Sequence, residues 1–135
     1  MQIQTTPTMR APVLLLDPQT GRAYGIAAHL ALSGFPIRIE STGSGAQKAV
    51  KGAHFATLIV VANLDEDACL HWLDTLRRAA TRSWMIVLSP RCDIELRSLV
   101  YRHGGDACMR APPSIDDLVR TLRVFERRTR PLPWV

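Results

Sequence analysis

Three short runs of consecutive apolar residues constrain the fold of this chain more than any other feature. They occupy residues 13–16, 58–61 and 85–88, with the sequences VLLL, LIVV and MIVL. None of the runs alternates between apolar and polar residues, as a strand with one solvated face would. Each run therefore predicts a parallel strand that is covered on both faces. The segments between the runs are long enough to form helices.

Helical periodicity is visible in these intervening segments. A first helix is predicted at about residues 20–33, with Gly34 as its stop, and a weak second helix near residues 47–51, after the turn STGSGAQ. The apolar face of the first helix is predicted to contain Tyr24, Ala27, Ala28, Leu30 and Ala31. A third helix is predicted from the apolar stripe formed by Cys69, Leu70, Trp72, Leu73 and Leu76.

Capping residues indicate where the last two helices begin. Asp93 precedes a helix that ends before Gly104, and Ser114 is followed three positions later by Asp117, a variant of the capping box. Short strands at residues 37–40 and 107–109 complete a pattern in which strand and helix alternate five times. The chain is therefore predicted to be an α/β protein, a three-layer (βα)5 doubly wound parallel sheet.

The length and composition are those of a single domain. A chain of 135 residues with a hydrophobic fraction of 47% fills one core. We expect a flexible N-terminal segment at residues 1–11, one domain at residues 12–128 and a tail or linker at residues 129–135. No secretory signal and no window of roughly 18 apolar residues is present, so we expect a cytoplasmic protein that does not contact the membrane.

The cysteines and the net charge bear on the partners. Cys69, Cys92 and Cys108 are odd in number and lack Cys-x-x-Cys spacing, which favours reduced, partly buried thiols. The net charge of +5 comes mostly from arginine. The arginines near the C-terminus, which would meet the phosphates of a nucleic acid, are Arg120, Arg123, Arg127, Arg128 and Arg130. Nucleic acid therefore stays open as a partner, although no aromatic residues are interleaved for base stacking.

Working residues in open α/β sheets lie just past the carboxyl ends of the strands. Here those positions are 17–18, 62–63, 89–90 and 110–112. Asp65, Glu66 and Asp67 come slightly later, and carboxylates at the start of a helix complement its free N–H groups and its dipole. We therefore predict a helix start rather than a metal site, and no metal or other cofactor.

The segment GGDACMRAPPSIDDL, residues 104–118, resembles the C-terminal third of the receiver domains of bacterial two-component response regulators. That family carries the pattern Gly-Ala-Asp-Asp-Tyr-Leu-Val-Lys-Pro-Phe-Ser-Leu-Glu-Glu-Leu there, and the match has no gap. VLLLDP and WMIVLSP are similar to the first and fourth strands of the family. The resemblance covers residues 12–128 and implies the CheY-like fold, with strand order 2-1-3-4-5.

The same resemblance implies that the phosphorylation site is degenerate. The family's acidic pair keeps only Asp17, because Pro18 occupies the other place. Val61 stands where an aspartate would accept the phosphoryl group, and Ala111 stands where a lysine would pair with it. A hard cation such as Mg²⁺ needs several oxygen ligands, which these residues do not supply. The chain is thus expected to be a pseudo-receiver with no catalytic residues, and not an enzyme.

Three further positions follow from the alignment. Ser89 fits the family's hydroxyl position, where we expect it to form a hydrogen bond or to cap the strand. Cys108 stands where many members carry an aromatic switch residue, so coupling from the site to the output face is not expected to follow the family's route. Pro112 matches a family proline, and we expect the peptide bond between Ala111 and Pro112 to be cis.

The expected function is that of a protein-interaction or dimerisation module, acting as the regulatory part of a transcription regulator. Receivers commonly bind partners through the fourth helix, fifth strand and fifth helix. The matching candidates here are Arg97, Tyr101, Arg102, Arg110, Asp116, Arg120 and Arg123. The expected partner is a second copy of the chain, a signalling protein, or both. Two alternatives stay open: a ligand-binding flavodoxin-like domain that uses the vacated crevice, and a basic accessory domain that binds nucleic acid.

Overall fold

A computed structural model describes residues 11–62 and 66–130 of the chain. Its strands are β1 (Val13–Leu16), β2 (Ile37–Glu40), β3 (Thr57–Val61), β4 (Trp84–Ser89) and β5 (Ala107–Arg110). Its helices are α1 (Thr20–Leu32), α2 (Gly43–Gly52), α3 (Glu66–Ala79), α4 (Ile94–Arg102) and α5 (Ile115–Glu126). The strands form one parallel sheet in the order β2-β1-β3-β4-β5. The predicted fold and strand order are confirmed.

The sheet separates two hydrophobic clusters. Alternate residues of the central strand β3 supply both: Leu58 and Val60 enter the cluster on the side of α2, α3 and α4, whereas Ile59 and Val61 enter the cluster on the side of α1 and α5. All five residues of β3 are buried, as are all four of β1. Coverage on both faces explains why these strands consist of consecutive apolar residues.

The buried face of α1 differs from the predicted one. Ala23, Ile26 and Leu30 form it together with Ala27, whereas Tyr24 is 67% exposed. The prediction is confirmed for Ala27 and Leu30 and wrong for Tyr24, Ala28 and Ala31, because alanines on both sides of this helix give two overlapping apolar stripes. Packing of the bulkier Ile26 and Leu30 against the sheet decides which stripe is buried.

Helix α2 is longer than predicted and begins inside the Ser/Gly-rich segment. The Thr42 hydroxyl accepts a hydrogen bond from the Gly45 N–H at 3.0 Å, which caps the helix. A Cβ atom at Gly43 would overlap the indole of Trp72 on α3. Glycine at this position therefore permits the close approach of α2 and α3, rather than marking a loop.

The predicted caps of α4 and α5 and the predicted stop of α1 are confirmed. The Asp93 carboxylate accepts from the Leu96 N–H at 2.8 Å, and the Ser114 hydroxyl accepts from the Asp117 N–H at 3.3 Å. Gly34 follows α1 with a φ of 91°, a left-handed conformation that suits a helix stop. No helix in residues 11–62 and 66–130 combines the length and apolarity that a membrane crossing requires.

Candidate functional site

Four predicted positions lie along the carboxyl edge of the sheet. Leu16 pairs with Val60, Val61 pairs with Leu88, and Ser89 pairs with Arg110. The ends of β1, β3, β4 and β5 are therefore side by side, and the loops that follow them share one edge.

Asp17 follows β1 directly and is fully buried. Arg22, in the first turns of α1, holds both oxygens of its carboxylate: Nε lies 2.7 Å from Oδ2, and Nη2 donates to Oδ1. The Gln19 N–H also donates to Oδ1, at 2.9 Å. The hydrogen bond from Arg22 to Asp17 raises the pKa of the Arg22 guanidinium. The carboxylate thus has a permanent cationic partner within five residues of the chain.

This ion pair matters because a buried carboxylate without a partner is costly in free energy. Arg22 meets Asp17 with the two-pronged geometry that a guanidinium and a carboxylate share. In a receiver of the family pattern, a divalent cation would face this acid. Here the side chain of Arg22 supplies the positive charge. Arg22 is 30% exposed and Asp17 is fully buried, so Arg22 covers Asp17 on the solvent side.

Val61 ends β3 with a buried side chain that packs among Ile59, Ile86 and Leu88. The following residue, Ala62, is also buried and donates its N–H to the Leu88 carbonyl at 2.8 Å. Neither side chain carries an oxygen. Asn63 and Asp65, which the sequence analysis named, lie outside the described residues.

Ser89 and Ala111 have structural partners at the ends of β4 and β5. The buried Ser89 hydroxyl accepts from the Arg91 N–H at 3.1 Å, and the Ser89 carbonyl accepts from the Ala111 N–H at 2.9 Å. Ala111 packs partly buried against the cluster under α1 and α5. The peptide bond between Ala111 and Pro112 is cis. Pro18, by contrast, is solvent exposed.

Arg91 is a second arginine at this edge that the sequence analysis missed. Its Nη1 pairs with Glu66 at the start of α3, its Nε lies 2.8 Å from Asp93, and its Nη2 lies 3.3 Å from Glu95. Hydrogen bonding to Arg91 and to the Leu96 N–H lowers the pKa of Asp93. Arg91 thus links the loop after β4 to the first turn of α3.

The edge therefore contains acids, but each of the acids just described is paired with an arginine. In the described part of the chain, no three histidine, cysteine or acidic side chains are placed to hold a metal ion. The pairings explain where the acids that follow β1 and β3 find their counter-charge. The sequence weakly indicated that Arg22 pairs with Asp17, because the two residues are only five positions apart.

All seven residues of the predicted interface are solvent exposed: Arg97, Tyr101, Arg102, Arg110, Asp116, Arg120 and Arg123. The structure places them in separate groups. Arg97 and Tyr101 share one side of α4 with Ile94, which is 85% exposed. Arg97 reaches the Cys92 thiol, which contacts β5, so this side of α4 faces the β5 edge. Arg102 lies on another side of α4.

Arg110 ends β5 two residues after Cys108, so the two side chains lie on the same face of the sheet. That face is the one covered by α4. We name Ile94, Arg97, Tyr101 and Arg110 the α4–β5 surface. It combines two exposed apolar side chains with two arginines.

The remaining three candidates, Asp116, Arg120 and Arg123, line a cleft of about 440 Å³ between α5 and Ser33 at the end of α1. Arg127 lines the same cleft. The sequence had grouped these residues with the α4–β5 surface, because helix α5 was expected to contribute to it. The helical spacing of Asp116, Arg120 and Arg123 instead directs them to the α1 side.

The sequence and the fold were compared with those of known proteins. No protein-family model matches the chain. A response regulator from Thermotoga maritima superposes with a TM-score of 0.80 at 15% identity, covering 88% of this chain and 99% of that one. The chain has the fold of a response-regulator receiver domain. The receiver domain of Francisella response regulator 1452 gives a TM-score of 0.78 at 20% identity, covering 88% and 98% of the two chains.

Two more comparisons are informative. The orphan response regulator HP1043 of H. pylori matches this receiver fold with a TM-score of 0.75 at 18% identity, covering 88% of this chain and 98% of that one. Among curated proteins, a probable transcriptional regulatory protein, y4xI of Sinorhizobium fredii, is 29% identical over 116 residues, or 86% of this chain. The chain spans 50% of the length of that relative.

Proposed function

We propose that the chain is a receiver-like signalling domain that works without phosphorylation at the end of β3 and acts through protein interaction. The observation that carries this proposal is the pairing of the buried Asp17 with Arg22, beside a buried Val61. The receiver fold supports a signalling role, and the filled acidic site supports the absence of the family's chemistry.

The chemical argument has two steps. An acyl phosphate requires a carboxylate nucleophile, and the hydrocarbon side chain of Val61 offers none. A divalent cation that would neutralise the incoming phosphoryl group requires free carboxylate oxygens. Both oxygens of Asp17 already accept hydrogen bonds from Arg22. Arg22 and Arg91 also occupy acids that a ligand in this crevice would contact, which weakens the alternative of a ligand-binding flavodoxin-like domain.

The α4–β5 surface is the part of the molecule that we assign to output. Exposed apolar side chains beside arginines are typical of protein interfaces, where tyrosine and arginine often contribute most of the binding energy. Ile94 is 85% exposed and Tyr101 is 55% exposed. β5 is an edge strand of the sheet, so a partner can approach it from the side. The partner that we propose first is a second copy of the chain, related by a twofold axis.

Sedimentation over a range of protein concentrations tests this function. We expect self-association that Tyr101→Ala weakens roughly tenfold, because an anchoring tyrosine is removed. Tyr24→Ala is the matched control, since Tyr24 is an exposed tyrosine on α1. Addition of Mg²⁺ and acetyl phosphate should leave the association unchanged. A chain that associates only after phosphodonor treatment would overturn the proposal.

The relative named as a probable transcriptional regulatory protein supports the narrower proposal that this domain is the regulatory part of a transcription regulator. Transcript profiling tests that role: deletion of the gene and the Tyr101→Ala variant should alter an overlapping set of transcripts. A deletion with no effect on transcription would contradict it.

A second candidate function is contact with nucleic acid. The cleft between α1 and α5 favours it, because Arg120, Arg123 and Arg127 line that cleft with Asp116 as the one carboxylate among its described lining residues. Binding to duplex DNA, measured against salt, tests this candidate. A steep loss of affinity with salt, reduced by Arg123→Gln and Arg127→Gln, would support it. Binding that ignores both substitutions would exclude this cleft.

A further inference from the structure

Three thiols lie in the same hydrophobic cluster, on the side of the sheet covered by α2, α3 and α4. Cys69 belongs to α3, Cys92 to the loop before α4, and Cys108 to β5. All three are buried and free. They are far apart in sequence, and neither the receiver fold nor the acidic site described above uses them.

Two of these cysteines are in direct contact. The Cys92 thiol donates to the backbone carbonyl of Cys108 at 3.4 Å. Burial and a hydrogen bond with the Cys92 side chain raise the pKa of the Cys108 thiol to about 12. This hydrogen bond joins a loop residue to a strand residue 16 positions away, and no sequence motif marks the contact.

Cys92 differs from the other two thiols in its surroundings. The exposed side chain of Arg97 places Nη2 at 3.6 Å from the Cys92 sulfur. The thiolate is the nucleophilic form of cysteine, and this guanidinium is placed to donate a hydrogen bond to it. Cys92 also has a φ of 35°, a left-handed conformation that side chains other than glycine adopt at a cost. The structure thus holds the Cys92 thiol in a strained loop, beside a cation and in contact with the backbone of Cys108.

We propose that Cys92 and Cys108 form a redox switch that hydrogen peroxide closes to a disulfide. The Cys92 thiolate attacks one oxygen of the peroxide, the O–O bond breaks, and after protonation one water leaves, so that Cys92 becomes a sulfenic acid. The Cys108 thiol then attacks the sulfenic sulfur, the S–O bond breaks, and the second water leaves with the Cys108 proton. The two thiols together lose two electrons and two hydrogens, which reduce one peroxide to two waters.

Cys69 provides the internal reference. Burial, and to a smaller extent the charge of Glu66, raises the pKa of its thiol to about 12. Cys69 lies on α3, and none of the described hydrogen bonds joins its thiol to another cysteine, as one joins Cys92 to Cys108. Cys69 is therefore expected to stay reduced while the pair is oxidised.

The bond would tie the start of α4 to the middle of β5. Helix α4 carries Ile94 and Tyr101, so the closed switch would fix the position of the α4–β5 surface. The chemical proposal itself does not depend on the proposed function, because disulfide formation is measured without any partner.

The test uses the whole chain, treated with hydrogen peroxide in its folded state and analysed by intact mass and peptide mapping. The expected product is a monomer that has lost two hydrogens, with Cys92 linked to Cys108 and Cys69 still alkylated by a thiol reagent. Free thiols after treatment, a pair that includes Cys69, or a disulfide between two chains would overturn the proposal.

Rate measurements on exposed substitutions separate the switch from general oxidation. Arg97→Gln should slow disulfide formation several-fold, because the cation next to Cys92 is removed. Arg102→Gln is the matched control on the same helix and should leave the rate unchanged. Equal rates in the two variants would contradict the role given to Arg97. Dithiothreitol should return the oxidised chain to its original mass, whereas conversion of Cys92 to sulfinic acid without a disulfide would contradict a reversible switch.

Discussion

Two carboxylates at opposite ends of the sheet are held by arginine in different ways. At the carboxyl edge, Asp17 is fully buried and depends on Arg22 alone for its positive partner in the described salt bridges. At the amino edge, Asp106 accepts from Arg77 at 2.9 Å and from Arg130 at 3.0 Å. The Met85 N–H donates to the same carboxylate at 2.9 Å. One acid has a single guanidinium and the other has two.

The arginines themselves also differ. Arg77 is held by backbone carbonyls as well, donating to Gly104 at 2.8 Å and to Ser83 at 2.6 Å. Burial lowers the pKa of Arg77 to about 10, and the nearby charge of Asp106 opposes that shift, so the guanidinium stays charged at neutral pH. The amino edge is thus a cross-linked structural cluster. At the carboxyl edge, the described salt bridges of Asp17 consist of its pair with Arg22 alone.

The largest expected effect is at the carboxyl edge. Arg22→Met keeps much of the side-chain volume but leaves the Asp17 carboxylate buried and unpaired, so we expect the free energy of unfolding to fall by about 3 kcal/mol. Urea unfolding measures it. Adding Asp17→Asn to Arg22→Met should restore part of the loss, because the stranded charge is then removed. If Arg22→Met alone is as stable as the original chain, that result contradicts the pairing of Asp17 with Arg22.

A smaller effect is expected at the amino edge. Arg130→Gln removes one guanidinium from Asp106 but leaves Arg77 in place, so the free energy of unfolding should fall by about 1 kcal/mol. Comparison of the two urea midpoints sharpens the contrast between the edges. Equal losses for Arg130→Gln and Arg22→Met would break it. Arg128→Gln is the control, since Arg128 is exposed on the same C-terminal segment.

The smallest effect concerns the cap of α4 and its dependence on pH. The pKa of Asp93 is lowered in the folded chain, first by Arg91 and then by the Leu96 N–H. Folding therefore favours the charged form: its contribution is fully present above the ordinary value of 3.8 and is lost as the pH falls through the lower folded value. Asp93→Ala should flatten the acid limb of the stability curve below pH 3.8. If the acid limb is unchanged in this variant, other carboxylates account for it.

Arg130 also bears on the domain boundary that the sequence predicted. The tail or linker at residues 129–135 stays a prediction; within it, Arg130 packs with a side-chain exposure of 12% and donates to the Thr81 carbonyl at 3.2 Å. The chain leaving α5 is therefore fastened to the amino edge of the sheet at this residue.

Strands β1, β3 and β4 were predictable because each contains a run of apolar residues that is buried on both faces. The caps at Asp93 and Ser114 were equally local, since a short polar side chain and the N–H groups two or three residues later suffice. Helix α2 was not predictable at its start. Gly43 allows contact with Trp72, which lies almost 30 residues away and belongs to another helix.

The candidate site was predictable in position but not in its contents. Strand topology alone brings Asp17, Val61 and Ser89 to one edge. The partners Arg22 and Arg91 depend on how a loop turns back on itself. The spacing from Asp17 gave only a weak signal for Arg22, and no spacing rule selects Arg91 from the other arginines of the chain. The contact between Cys92 and Cys108 is of the same kind, because it arises only when α4 folds onto β5.

The most direct measurement of the central claim is the intact mass of the chain after incubation with Mg²⁺ and acetyl phosphate. The account predicts an unchanged mass, because Val61 offers no carboxylate and Arg22 already holds Asp17. An active receiver domain treated in parallel verifies the phosphodonor. A stable phosphoryl adduct on this chain, mapped to the carboxyl edge of the sheet, would contradict the account.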